Sequence, residues 1–337
     1  MRLLLPLLLL DVALASAGDE RPKPAPDTHR NEEQTYLTLP EWYIVYSSDE
    51  YARFITSRPP SDFPYFLSVA RFWEYYASVY EATLRYPFNG GYHLMNAVIG
   101  VSYSAELLLK GVYENTVGRF AAFFASYETT EEDRFAAGIA SDYVAFIDTH
   151  PWYDYPFGKA LLDLWKNTPP AGPHMLRKWE RRGILSFEYA FKAGYGWLMR
   201  QGTEATYDPE SEETAARVRG LPGDLAALDP RIRLLKKEGD GSSLVALPRY
   251  QPFTAGALLL ARRGVQFEDI LGNSRILVTA LLPRGASSPG GEVLFASVLP
   301  IEPDRERLAL TVTVHDLRDT LLGLEARGAV IEHVYDY

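Results

Sequence analysis

Aromatic side chains are confined to one part of this chain. Of its 44 Phe, Tyr and Trp residues, 37 lie between Tyr36 and Trp197, seven come later and none earlier. All six tryptophans fall in that stretch. Beyond Trp197 the chain is aliphatic, rich in Val and Leu. A chain of 337 residues also exceeds what one hydrophobic core usually supports. The contrast predicts an α+β protein of two independent domains, an all-helical aromatic-rich body followed by a sheet-forming one.

The N-terminus reads as an export signal over residues 1–17. Arg2 supplies a positive start, Leu3 to Leu10 an apolar run broken only by Pro6, and Ala15-Ser16-Ala17 a small-residue cleavage pattern. Asp11 is a flaw in that pattern. Residues 18–35 are charged, proline-rich and free of aromatics, which predicts a disordered linker with His29 and Glu32 solvated. The chain has no cysteine, which excludes disulfides, thiolate metal sites and cysteine nucleophiles. A net charge of -10 argues against a nucleic-acid binder.

Residues 36–201 show helical punctuation throughout. Ser47 followed by Glu50 is a capping-box pattern that predicts a short helix near Asp49. Further helices are expected over 62–86, 92–124, from the Thr130 cap to 148, over 157–166, and from Pro173 to 201. Residues 202–241 are polar and read as a linker with one short helix near 214–219. From 242 to 337 the order is strand, helix, four strands, helix, strand, with the extra hairpin in the middle. That order resembles a ferredoxin-like or ACT-like βαβ-βαβ sandwich with an extra hairpin. The likeness is one of pattern and transfers no functional residue. No internal repeat is evident.

Candidate sites cluster in the aromatic part. On the long helix, Met95, Ile99, Ser102, Glu106, Leu109 and Tyr113 share one stripe. A carboxylate there would be desolvated, with a raised pKa, as an acid/base group requires; pairing with Lys110 one turn on is the plainer reading. Ala97, Gly100, Ser104 and Gly111 form a small-residue face suited to close helix approach. His93 begins that face and is a candidate ligand group. Trp42, Trp73 and Tyr76 are candidates to line an apolar cavity. Leu94 to Val112 is apolar enough to raise the question of a membrane segment, against which Asn96, Glu106 and Lys110 argue.

Arg177, Lys178, Trp179, Arg181 and Arg182 concentrate four cations around a tryptophan, a composition suited to a membrane or partner surface. In the C-terminal part, Arg249, Tyr250, His315 and His333 are candidate ligand contacts. Di-iron, zinc-hydrolase, dinucleotide and phosphate-loop signatures are absent, and Gly100-Val101-Ser102 fails as a nucleophile elbow. No metal site is expected.

These features point to an exported, membrane-associated binding or accessory protein, not primarily an enzyme. Its helical domain would hold an apolar ligand or contact a membrane surface or protein, with homodimerisation through the C-terminal sheet. Two alternatives are an enzyme on a lipid-like or aromatic substrate with Glu106 as acid/base, and a non-covalent haem-binding protein. No other cofactor is expected.

Overall fold

Strand β5 (Arg275–Pro283) is buried along nearly its whole length, because both faces of its sheet are covered. Residues 25–206, 211–225 and 227–336 are described by a computed structural model. The expected signal segment 1–17 and residues 18–24 of the linker lie outside these residues. The rest of that linker is not the disordered segment expected, since Asp27 bridges to Thr214, Glu32 accepts from the Tyr86 hydroxyl at 2.7 Å and Thr35 is buried, whereas His29 is exposed as expected.

The helical part comprises α1 (Gln34–Leu37), α2 (Leu39–Ile55), α3 (Tyr65–Thr83), α4 (Gly90–Tyr113), α5 (Arg119–Phe124), α6 (Glu131–Ile147), α7 (Phe157–Asn167) and α8 (Met175–Thr206). One π turn, Glu114–Gly118, joins α4 to α5, so the long helix expected over 92–124 is continuous but widened once. The Thr130 cap forms as a full capping box with Asp133. The Ser47–Glu50 pattern does not start a helix. Both residues lie inside α2 and point inward, where Ser47 meets the Tyr103 hydroxyl and Glu50 accepts from Arg307. Polar residues spaced for a cap are equally spaced for a tertiary network.

The rest contains two four-stranded antiparallel sheets of identical design. The first holds β1 (Glu213–Arg219), β2 (Arg233–Lys237), β3 (Ser242–Pro248) and β4 (Gln266–Ile270), in the order β2-β3-β1-β4. The second holds β5, β6 (Glu292–Val298), β7 (Arg305–Thr313) and β8 (Val330–Val334), in the order β6-β7-β5-β8. Helix α9 (Gln251–Arg262) connects β3 to β4, and α10 (Leu317–Ala326) connects β7 to β8.

The expected linker 202–241 therefore contributes two strands. Its Thr214–Arg219 segment is the inner strand β1, not a helix. Thr-Ala-Ala-Arg-Val-Arg alternates too weakly to show its period without its partners. The single sandwich expected over 242–337 becomes two sheets, and the β-β-β-α-β unit occurs twice. Leu260, Arg263, Gly264, Glu268 and Ile270 of the first unit match Leu324, Arg327, Gly328, Glu332 and Val334 of the second. Both glycines adopt positive φ (78° and 73°) to end α9 and α10.

One core fills the space between the sheets, built from β1, β3 and β4, from β5, β7 and β8, and from α9 and α10. The other face of the second sheet is covered by the aromatic helices. Tyr36, Leu37, Trp42, Tyr46, Phe72 and Tyr75 form a single core with Leu277, Ala309 and Tyr335. The expectation of independent cores is thus corrected: the two materials meet across a shared interior.

Polar contacts fix that junction. Thr35 Oγ1 accepts from the backbone N–H of Leu277 at 3.0 Å. Tyr46 hydroxyl meets Thr279 Oγ1 at 2.6 Å and the Tyr335 hydroxyl at 3.0 Å. Buried Arg307 of β7 donates to Glu50 of α2 at 2.9 Å and clasps Glu332 of β8 through two bonds of 2.7 Å. Burial pushes the Glu50 carboxyl up despite the attraction of Arg307. Arg307→Ala leaves both carboxylates buried and unpaired. Urea unfolding should show a loss of about 3–5 kcal/mol, whereas Glu302→Ala at the exposed Arg53 pair should change it by under about 1 kcal/mol.

Buried Asp336 accepts from Thr214 Oγ1 at 2.9 Å, tying the chain end to the first sheet. Burial raises its pKa to about 6, only partly offset by Arg249 and the Thr214 bond. Since the folded value lies above the unfolded one, this group favours the folded state at low pH, and that contribution is lost as pH rises through about 6. Stability should fall between about pH 4 and 6.5, and Asp336→Asn should flatten that slope in chemical denaturation.

Candidate functional site

Helices α4 and α8 are built inside out. On α4 the buried residues are His93, Asn96, Gly100, Tyr103 and Gly111, polar or small except for the tyrosine. The face pointing away carries Leu94, Val98, Val101, Leu108, Leu109 and Val112, all exposed; Leu109 is 73% accessible. On the first turns of α8 the buried side is charged, with Arg177, Lys178, Arg181 and Arg182; Leu185 and Tyr189 then enter an apolar core with α6 and α7, while Phe187, Phe191, Trp197 and Leu198 are exposed. The usual amphipathic order is reversed.

Three helices form one layer. Helix α3 packs on α4 through Gly100 and Gly111, where a Cβ would stand 2.4 Å from Phe72 and 2.8 Å from Tyr65. The small-residue face expected on α4 does permit this approach, and Ser104 on it accepts from Trp73 Nε1 at 3.0 Å. Helix α8 runs antiparallel to α4 on its other flank, joined by Glu106–Lys192, Lys110–Glu188, Tyr113–Glu180 and Glu114–Arg181 contacts.

The outer surface of this layer is mainly apolar, with Glu74 of α3 and Ser102 and Glu106 of α4 exposed among the apolar side chains. Helix α3 adds Phe66, Trp73, Tyr80 and Leu84, and α5 adds Phe120, Phe123 and Phe124. From Leu94 to Val112 the face runs about 27 Å, and three helices make it about 25 Å wide, roughly 700 Å² in plan. Apolar side chains fill much of that area, which places the face at the upper end of the few hundred Å² usual for the largest patch of a monomer. Of 31 exposed large hydrophobics among the described residues, 27 belong to the helical part and four to the sheets. The exposure is therefore a property of this layer, not of the whole surface.

The charges behind the layer are paired. Arg181 contacts Glu114 at 2.7 Å and Asp133 at 2.9 Å, and Arg177 contacts Asp133 at 3.0 Å. Arg182 contacts Glu132 at 2.9 Å and donates to the carbonyl oxygens of Thr168 and Pro169. Lys178 contacts Glu131 at 2.7 Å. Burial would raise the Asp133 carboxyl, but Arg181, Arg177 and the Thr130 bonds hold it below its usual range. The acidic first turn of α6 thus serves twice, favouring its own helix N-terminus and neutralising α8.

The predicted site residues are dispersed. Arg177, Lys178, Arg181 and Arg182 lie inside, because Glu131, Glu132 and Asp133 on α6 draw them there; Trp179 alone of that group stays on the surface. Glu106 is not desolvated. Its carboxylate is half-exposed and paired with Lys192 at 2.9 Å, a partner distant in sequence, in place of Lys110.

Lys110 and Lys192 instead flank Glu188, whose carboxyl burial would raise but the two lysines hold well below its usual value. His93, Tyr76 and Trp73 do come together. Tyr76 hydroxyl meets His93 Nδ1 at 3.1 Å, Phe88 stacks on the imidazole at 4.8 Å, and burial lowers the His93 pKa. Rings of the protein itself occupy those positions around His93.

Trp42 sits elsewhere, stacked at 3.5 Å on buried His333, whose pKa burial pushes well below the usual value. Gln251 and Thr254 of α9 meet His333 Nδ1, so this histidine is a packing residue at the helix–sheet junction. No group of three potential metal ligands occurs among the described residues. Sequence reading missed the pairings of Glu50 with Arg307 and Glu188 with Lys192. It also missed the direction of the apolar stripe. The one signal for that direction was the uncharged i, i+4, i+7 run Leu94, Val98, Val101.

Two glycines test the layer. Gly100→Ala should destabilise by about 1–3 kcal/mol through overpacking against Phe72. Gly183→Ala, which meets open space on α8, should stabilise by about 0.5–1 kcal/mol through helix propensity. Thermal unfolding of the two variants compares them directly.

Comparison with known protein families, characterised proteins and solved structures finds no match for this chain.

Proposed function

We propose that this is an exported, membrane-associated binding or accessory protein. It would meet its membrane partner through the outer face of α3, α4, α5 and α8. One observation carries this reading: a continuous layer that buries paired charges and exposes Leu, Val, Phe and Trp. Water favours the opposite arrangement, and an apolar neighbour favours this one. Export rests on the Arg2, Leu3–Leu10 and Ala15-Ser16-Ala17 pattern.

The other readings have less support. A ligand held inside the helical body would need rings turned inward around a cavity, whereas Trp73, Trp165, Trp179 and Trp197 are turned outward. Glu106 as acid/base lacks the desolvation that role was to draw on. Haem ligation by His93 would require displacing Phe88 and Tyr76.

Each sheet contains a split β-α-β, with β1 between β3 and β4 and β5 between β7 and β8, which supports reading the C-terminal part as two ferredoxin-like units. We read that part as the second of two domains, docked on the first. Dimerisation through those sheets is less favoured, since the outer strand β2 carries Arg233, Lys236 and Lys237 along its edge.

Fractionation of the native host tests the reading. The protein should sediment with membranes and stay there after a carbonate wash. Complete release into the supernatant would refute membrane association.

A further inference from the structure

Resting on that membrane-associated reading, we infer that the outer face of α3, α4 and α8 is occupied by the acyl chains of the bilayer itself, entered from one side with the helix axes lying along the membrane plane.

The chemistry of the face favours hydrocarbon over a protein. A protein interface of this size carries about one hydrogen bond per 100–200 Å², so its surface presents donors and acceptors to the partner. Here five polar groups at or beside the face are satisfied from within. Trp73 Nε1 donates to Ser104 Oγ at 3.0 Å, and Ser104 in turn donates to the Gly100 carbonyl at 2.6 Å. Trp165 Nε1 donates to Ser186 Oγ at 2.9 Å. Exposed Thr116 donates to the Val112 carbonyl at 2.7 Å, and Asn115 to the Gly111 carbonyl at 2.8 Å. A water-facing indole would give its N–H to water; these two give theirs to a serine of a neighbouring helix in the same body. Internal satisfaction of these donors is what hydrocarbon demands, while the Trp179 and Trp197 indoles keep a polar tip for the headgroup level, where such rings settle.

The charges near the face obey the same rule. Glu106 and Lys192 are paired at 2.9 Å, and Lys110 and Glu188 at 3.2 Å, so both enter as neutral pairs.

The geometry sets the depth. Helix α2 and the second sheet cover the opposite side of α3 and α4, and α6 and α7 that of α8, so only one side is free. No helix among the described residues is long and apolar enough to cross a membrane. A one-sided apolar face on helices that do not cross lies in one leaflet, with its side chains about 5–10 Å deep. The net charge of -10 means that attraction to anionic headgroups does not drive the contact. Binding should therefore be insensitive to salt.

The test uses the purified full chain and protein-free phosphatidylcholine vesicles. Wild-type protein should float with the vesicles equally at low and high salt. Its tryptophan emission should fall by at least half when the acyl chains are brominated. Val101→Glu with Leu109→Glu, both at exposed positions, should cut flotation at least tenfold with an unchanged near-UV spectrum, while Val293→Glu on the sheets should not.

Three outcomes overturn the inference. If the protein resists carbonate in its host but does not float with pure lipid, a membrane protein covers the face, and the membrane-associated reading survives alone. If it neither floats nor sediments with host membranes, both fall. If sedimentation shows a dimer that the double variant dissociates, without vesicle binding, a second copy covers the face.

Discussion

The pairing of α8 cations with the acids of α6 and of the π turn decides which way every neighbouring helix faces. A helix has one circumference. Once Arg177, Arg181 and Arg182 are drawn inward by Glu114, Glu132 and Asp133, the side of α8 that carries Trp179, Phe187 and Phe191 faces out. The π turn at Glu114–Gly118 adjusts α4 to the same network. It brings Glu114 against Arg181 and leaves the Gly118 carbonyl to accept from Arg177 at 3.1 Å. A Cβ at Gly118 would stand 2.4 Å from the Glu114 carboxylate, so a larger residue there has to move the side chain that pairs with Arg181.

Such a core gains little stability over an apolar one. Buried ion pairs roughly break even against well-packed hydrophobic residues, whereas losing one partner is severe. A buried arginine–carboxylate cluster behind an exterior of phenylalanine and leucine is thus poorly explained by stability in water. It is explained if the exterior meets an apolar phase, where the hydrophobic side chains belong outside and the charges must be neutralised inside. The same logic accounts for Lys110 and Lys192 around Glu188, which close the α4–α8 seam without an unpaired charge.

Much of the helical punctuation was legible in the sequence, because it is local. The Thr130 capping box, the proline breaks and the small residues at Gly100 and Gly111 act within one helix or one helix pair. The strands from Ser242 onward were legible through their alternation. Strands β1 and β2 were not, since Thr214–Arg219 is weakly patterned and becomes a strand by pairing with β3 and β4 on either side. The doubled β-β-β-α-β unit was hidden because its first halves share little sequence. The site suffered most. Glu106 was assigned a buried environment from its apolar neighbours, but those neighbours face outward with it. An apolar stripe shows where a helix makes contact; it does not show whether the contact lies within the chain.

The junction between helices and sheet bears on the exposed layer in a further way. A lone amphipathic helix needs a large apolar moment to settle on a membrane, and orders itself as it does so. Here the layer is ordered beforehand. Glycine contacts lock α3 to α4, ion pairs lock α4 to α8, and the Arg307 clasp with the Tyr46–Thr279–Tyr335 bonds fastens α2 to the second sheet. The ordering entropy is met during folding, not at contact, so each exposed side chain can contribute most of its transfer free energy when it leaves water. A surface made by tertiary structure also explains why sequence gives it away only in part: α4 stands out by its apolar run, but the property belongs to three helices side by side.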